Sequence, residues 1–118
     1  MEPERREVSV SPRMAQILKI FLEDPARLRY GYELMTATGL PSGTIYPILA
    51  FLEKQGWLQA CREDIDPKAA GRPARRAFVL TADGYLQAMD RLNAIADSYR
   101  PPAPPTGRPT AIRPGGRV

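Results

Sequence analysis

Two groups of residues stand out chemically in this sequence. Ser42, Gly43, Thr44 and Tyr46 put three hydroxyls and one bare backbone position within five residues. Lys68, Arg72, Arg75 and Arg76 put four cations, with no acid among them, within nine residues. Hydroxyls and cations share one use, the hydrogen bonding and neutralisation of phosphate oxygens. They do not suggest catalysis. Histidine is absent, so no Ser-His or Cys-His nucleophile pair can form. Cys61 is the single cysteine, which leaves no disulfide within the chain and no Cys/His set for zinc. Carboxylates such as Glu33 and Glu53 are not paired into an acid–base site. The run 39–44 faintly suggests a phosphate loop but lacks its lysine and spacing. The expectation is a protein that is not an enzyme and needs neither cofactor nor metal.

The charge balance refines this. The net charge is +4. Residues 1–99 carry 13 basic and 13 acidic side chains, so the excess belongs to Arg100, Arg108, Arg113 and Arg117. Any polyanion-binding surface must therefore come from the placement of cations and not from their number. The 118 residues suit one domain. No apolar run approaches the roughly 18 residues that a membrane span needs. The charged start at 1–7 does not read as a secretory signal. The single thiol suits a reducing compartment, so the expected location is cytoplasmic.

The elements that must hold the two groups can be read next. Residues 1–11 read as a flexible N-terminal arm. Ser11 is a fair N-cap and Pro12 a fair first helical residue. Met14, Ile17, Leu18, Phe21 and Leu22 then recur at helical spacing until 23–25 ends the pattern. A second short helix is predicted over 30–38, with Leu34 and Met35 inward and Gly39 behind it. After the turn at Leu40 and Pro41, Ser42 is placed to cap a third helix over 42–55, whose inward face is Ile45, Ile48, Leu49 and Leu52. Pro47 makes the start of that helix irregular. Two helices joined by a short Gly-containing turn form a helix-turn-helix. Strands over 57–62 and 74–80, with a breaker-rich loop between them, make a β-hairpin, the wing. Thr81 caps a fourth helix over 82–99. Tyr85, Met89, Leu92, Ala96 and Tyr99 follow at spacings of four, three, four and three, the heptad pattern of a helix seam. Residues 100–118 are rich in proline, glycine and arginine and read as a disordered tail. The fold class is mainly α with a small β-hairpin: a winged helix-turn-helix over 12–81, of three helices plus wing, and a C-terminal dimerisation helix over 82–99.

The stretch Gly31-Tyr32-Glu33-Leu34, followed by Gly39-Leu40-Pro41-Ser42-Gly43-Thr44-Ile45-Tyr46-Pro47-Ile48-Leu49, resembles the PadR-like transcription regulators. The resemblance runs on through Leu52-Glu53, Gly56-Trp57-Leu58, Gly71-Arg72-Pro73, Arg75-Arg76 and Leu80-Thr81-Ala82-Asp83-Gly84, in one order and register over roughly residues 13–95. Its most specific part is Gly-Thr-Ile-Tyr-Pro. The resemblance implies a winged-helix fold, a homodimer through the C-terminal helix, and repression. In some members a phenolic or drug-like compound releases the DNA. The arginine-bearing tail departs from the pattern.

On this reading the partner is double-stranded DNA. Ser42, Gly43, Thr44 and Tyr46 face it from the start of the third helix, and Lys68, Arg72, Arg75 and Arg76 face it from the wing. Gly71 and Pro73 would keep the tip slim enough for Arg72 to enter a minor groove. Arg75 and Arg76 should point to opposite strand faces, so that one of them reaches a phosphate well. The third helix has no arginine or lysine before Lys54, so the common arginine–guanine contact is missing. The tail arginines would add non-specific affinity by counterion release. The second partner is another copy of the chain, met through Tyr85, Met89, Leu92, Ala96 and Tyr99 together with Met14, Ile17 and Phe21. Some of these residues would instead pack on their own domain. Tyrosines near the two-fold axis could stack on a small aromatic effector. The competing class is a winged-helix protein-interaction module without DNA-binding activity.

Overall fold

The computed structural model describes residues 8–107. Helix α1, Pro12–Glu23, starts where its cap predicts: the Ser11 hydroxyl accepts the Met14 N–H at 3.2 Å, and Pro12 occupies the first turn. The segment before it is not wholly free, because Val8 is buried in the core and Val10 packs against it. The chain then forms a two-residue strand β1, Arg29–Tyr30, and turns directly into helix α2, Gly31–Thr38. The Glu33 carboxylate accepts the Tyr30 N–H at 3.0 Å, and also pairs with Arg27 at 3.1 Å. That closes the start of α2. At its end Gly39, with φ 73°, donates its N–H to the Met35 carbonyl. The Thr38 hydroxyl donates to the Leu34 carbonyl at 2.6 Å and accepts the Leu40 N–H at 3.1 Å, which pins the turn.

Helix α3, Ser42–Lys54, has its cap one residue earlier than expected. Pro41 is the N-cap, and its carbonyl accepts the Thr44 and Ile45 N–H groups. Ser42 is thus the first helical residue rather than the cap, since the chain is already turning at the extended proline. Pro47 lies inside α3 without ending it. It gives up one backbone donor and crowds the carbonyl four residues back, that of Gly43 in the first turn.

Strand β2, Leu58–Arg62, and strand β3, Arg76–Leu80, pair antiparallel with Leu58 opposite Leu80 and Arg62 opposite Arg76. The ladder continues past the strands, where the Glu63 N–H donates to the Arg75 carbonyl at 2.8 Å. The sheet has three strands rather than two: β1 pairs with the other edge of β3, Arg29 opposite Phe78 and Tyr30 opposite Ala77. The tip of the hairpin is not a plain loop either. Asp66 caps a single helical turn α4, Pro67–Ala70, accepting the Lys68 N–H at 3.1 Å. Helix α5, Ala82–Ser98, closes the fold, capped by the Thr81 hydroxyl on the Gly84 N–H at 2.9 Å. Residues 100–107 carry no helix or strand, and 1–7 and 108–118, with most of the predicted arm and tail, lie outside the described residues.

The core joins α1, α2, α3, β2, β3 and α5. Ile17, Leu18 and Phe21 of α1 meet Leu34 of α2, Ile45, Leu49 and Leu52 of α3, and Phe78 of β3, each fully or almost fully buried. Burying one such side chain is worth roughly 1.5–3 kcal/mol. This packing corrects one expectation. Met14, Ile17 and Phe21 cannot line an interface between copies, because the apolar face of α1 is consumed inside its own chain.

Helix α5 docks through its smallest residues. Ala88 is fully buried and Gly84 lies against the backbone of Trp57. A Cβ on Gly84 would stand 2.7 Å from Trp57 Cα, and backbone cannot yield as a flexible side chain can. Gly84→Ala should therefore destabilise the fold by about 1–3 kcal/mol in urea unfolding. Gly43→Ala, with open space around it, should be neutral or gain up to about 1 kcal/mol.

Candidate nucleic-acid interface

The start of α3 and the base of the wing lie side by side. Tyr46, one turn into α3, is 45% exposed, yet its ring rests on Gly31 at the start of α2. A Cβ on Gly31 would stand 2.8 Å from Tyr46 Cε1 and closer still to the phenol carbon and oxygen. Any other residue at 31 would push the ring away. Next to this contact Tyr30 and Tyr32 stack with ring centroids 5.5 Å apart. The Arg75 guanidinium lies 4.9 Å over the Tyr32 ring, a cation–π contact worth about 0.5–1 kcal/mol at an exposed site. Arg76 pairs with Glu53 of α3 at 3.1 Å and lies 5.4 Å over Phe78. Tyr30, Gly31, Tyr32, Tyr46, Arg75 and Arg76 together line an open depression of about 370 Å³.

The predicted residues divide as follows. Ser42 and Gly43 are exposed and Thr44 is half-buried at the first turn of α3. Among the described residues no side-chain hydrogen bond caps that turn. The first backbone N–H groups of a helix carry its positive dipole end, which suits an anion. Arg75 and Arg76 border the same depression as Tyr46, although one leans to α2 and the other to α3. Strand alternation predicts that the two are separated. Arg75 precedes β3, so the alternation does not bind it. Lys68 is exposed on α4 and does not line the depression. Tyr30, Gly31 and Tyr32 carry no signal of their own as site residues, although Gly31-Tyr32 stands in the stretch that carries the resemblance. The pairing of β1 with β3 brings Tyr30 beside the wing, at the depression.

Arg72 differs most from expectation. It is not an extended probe at a slim tip. Its guanidinium folds back onto Glu63, Nη1 to Oε1 at 2.6 Å and Nη2 to Oε2 at 3.0 Å, with a third contact to the Pro73 carbonyl at 3.2 Å. The same carboxylate accepts the Arg75 N–H at 3.2 Å. A bidentate arginine–carboxylate pair has a fixed geometry, and here it ties the two arms of the wing. Held chiefly by the Arg72 hydrogen bond, the Glu63 carboxyl lies well below its ordinary value of 4.5, at about 2, while the Arg72 guanidinium is pushed up by the same bond.

The heptad on α5 splits. Tyr85, Met89, Ala96 and Tyr99 are exposed, while Leu92 is half-buried against the core. Leu86, which the heptad does not include, is 66% exposed beside Tyr85 and Met89. The exposed apolar stripe and the buried Gly84–Ala88 side are different faces of one helix. Among the described residues, no group of three or more Cys, Asp or Glu is arranged to hold a metal, and no helix is long and apolar enough to cross a membrane.

No family model matches the chain, and no curated protein matches its sequence. Solved structures do match. A mutant form of ZitR of Lactococcus lactis superposes with a TM-score of 0.59 at 13% identity, over 83% of this chain and 61% of that one. The transcriptional repressor CouR, bound to a 23-mer DNA duplex, gives 0.59 at 19% identity, over 75% of this chain and 56% of that one. A PadR family transcriptional regulator from Eggerthella lenta gives 0.55 at 19% identity, over 73% and 80%. The chain thus spans about 61% and 56% of the first two. It shares the fold of these proteins, and at the level of fold this agrees with the PadR-like resemblance read from its residues.

The Glu63–Arg72 pair should make the stability of the wing pH-dependent. A carboxylate whose pKa is lowered by folding stabilises the folded state fully above the unfolded value and loses that contribution as pH falls through the folded one. The pair should therefore contribute fully above about 4.5 and fade as pH falls towards about 2. Thermal melts of the wild type and Glu63→Gln should differ at neutral pH and converge across that window; a gap that stays constant would contradict the assignment.

Proposed function

We propose that the chain is a homodimeric, sequence-specific regulator of transcription that binds double-stranded DNA and represses by covering a promoter. One observation carries this: Tyr46 of α3 and the wing residues Arg75 and Arg76 line one open depression, a phenol hydroxyl beside two guanidiniums. α3 would enter the major groove. Ser42 and Thr44, together with the first N–H groups of α3, would meet a phosphate, and Gly43 would allow close approach. Tyr46 would donate its hydroxyl beside them. Arg75 would meet the neighbouring backbone, with Arg76 exchanging Glu53 for phosphate. Lys68 would add charge further out on the wing. Arg72 keeps its place in the set, mainly as the brace that holds the wing in shape. The likeness to CouR on a DNA duplex supports the reading, as do the regulators among the other matching structures.

Two copies would meet through the exposed face of α5, Tyr85, Leu86, Met89, Ala96 and Tyr99, placing two α3 helices about 34 Å apart on successive major grooves. A planar aromatic compound stacking on Tyr85 or Tyr99 at that seam would shift the spacing and release DNA. The setting is the cytoplasm.

Two measurements test this. Affinity for a random-sequence duplex should fall steeply with salt, and Arg75→Ala should lower the slope of log K against log salt by about 0.9. Arg72→Ala should lower it less. Binding that ignores salt would instead favour the protein-interaction module. Sedimentation of the wild type should give a dimer, and Leu86→Glu with Met89→Glu a monomer of unchanged circular dichroism.

A further inference from the structure

The outward face of α3 has an unusual composition for a surface that meets a polar groove. Pro47, Ala50 and Phe51 stand at i, i+3 and i+4, so they form one contiguous ridge. All three are exposed, and Phe51 keeps 39% of its surface in water. Between Ser42 and Lys54 the helix has no Arg, Lys, Asn, Gln or Asp, and its one acid, Glu53, is held by Arg76. Base edges are usually distinguished by such polar side chains through hydrogen bonds. This ridge has no donor or acceptor to offer beyond the backbone. Yet cations stand close along the same helix, Lys54 on the next turn and Arg76 through its pair with Glu53. An apolar ridge set among cations matches a polyanion that itself displays apolar groups.

The major groove of DNA shows one apolar feature, the C5-methyl group of thymine. Resting on the DNA-binding reading, we propose that α3 reads sequence through Pro47, Ala50 and Phe51, which pack against thymine methyl groups. Recognition is then apolar at the bases and ionic at the backbone. The ridge leaves guanine and unmethylated cytosine without a favourable contact, so preferred sites carry thymines at the steps facing α3. Exposure of Phe51 in the free protein is the complement of its burial on DNA.

The test uses the full chain and a random-sequence duplex library. Bound duplexes are enriched and sequenced. The most enriched duplex is then made twice, once with thymine and once with deoxyuridine, which keeps the pairing but lacks the methyl. The proposal expects the deoxyuridine duplex to bind about fourfold more weakly for each methyl covered, the factor that accompanies removal of one methyl-sized apolar group. The variant Ala50→Ser/Phe51→Ser, checked for fold by circular dichroism, should bring the thymine-to-deoxyuridine ratio towards one and leave the salt slope unchanged. Equal affinities of the wild type for the two duplexes overturn the proposal. So does a ratio that persists in the double variant, which would assign the effect to DNA shape. Failure of the underlying reading looks different: no duplex is bound in a salt-dependent way, the outcome expected if the ridge docks a protein.

Discussion

The contact between the Tyr46 ring and Gly31 governs the geometry of the whole candidate surface. It couples α3 to the start of α2 at a point where any side chain on residue 31 would collide with the phenol. The ring rests on the bare backbone there although almost half of its residue's surface is in water. Because Tyr30, directly before Gly31, is also the last residue of β1 and pairs with Ala77 of β3, the same contact ties the helix-turn-helix to the wing. Tyrosine, glycine and strand form one joint. The joint places α3 and the wing next to each other through few atoms.

Electrostatics is organised around that joint rather than spread over the molecule. Residues 1–99 carry no net charge, so attraction to a polyanion depends on which cations already have partners. Arg72 has one in Glu63, with two short bonds, and its charge is largely satisfied within the wing. Arg76 shares Glu53 in a more exposed pair. Arg75 rests its guanidinium on the Tyr32 ring. Three neighbouring arginines thus have three different electrostatic roles, graded from structural brace to available cation. An exposed ion pair is worth about 0–1 kcal/mol, so a phosphate can displace Glu53 from Arg76 far more easily than Glu63 from its bidentate partner.

Helix α5 solves a different problem. A chain of this size buries one core, and α5 joins it through Gly84 and Ala88, residues that bring backbones close but cover little apolar area. Its larger side chains, Leu86 and Met89 among them, point the other way and stay exposed.

Much of this is legible in the residues. Local signals work where a local cause acts: Ser11 and Thr81 accept the hydrogen bonds that caps accept, and the i, i+3, i+4 pattern of Ile17, Leu18 and Phe21 is the buried face of α1. The helix-turn-helix and the hairpin follow from the same kind of signal, and so do Tyr46, Arg75 and Arg76 as candidate residues that share one depression. What the chain order alone leaves open depends on contacts between distant residues. The pairing of β1 with β3 spans two residues and has no period to detect. The depression beside it, around Tyr30 and Tyr32, is invisible for the same reason. Arg72 looks free because its partner lies nine positions earlier and across the wing. Met14, Ile17 and Phe21 show the same limit: periodicity states that a helix has an apolar face, but only the packed chain decides whether that face meets its own core or another copy. Amino-acid order thus determined which elements form and which chemistry they carry, since those depend on neighbours a turn or a strand apart. Tertiary structure decided which charges are spent, which rings are held and which face is left over, since those depend on what folding brings within a few ångströms.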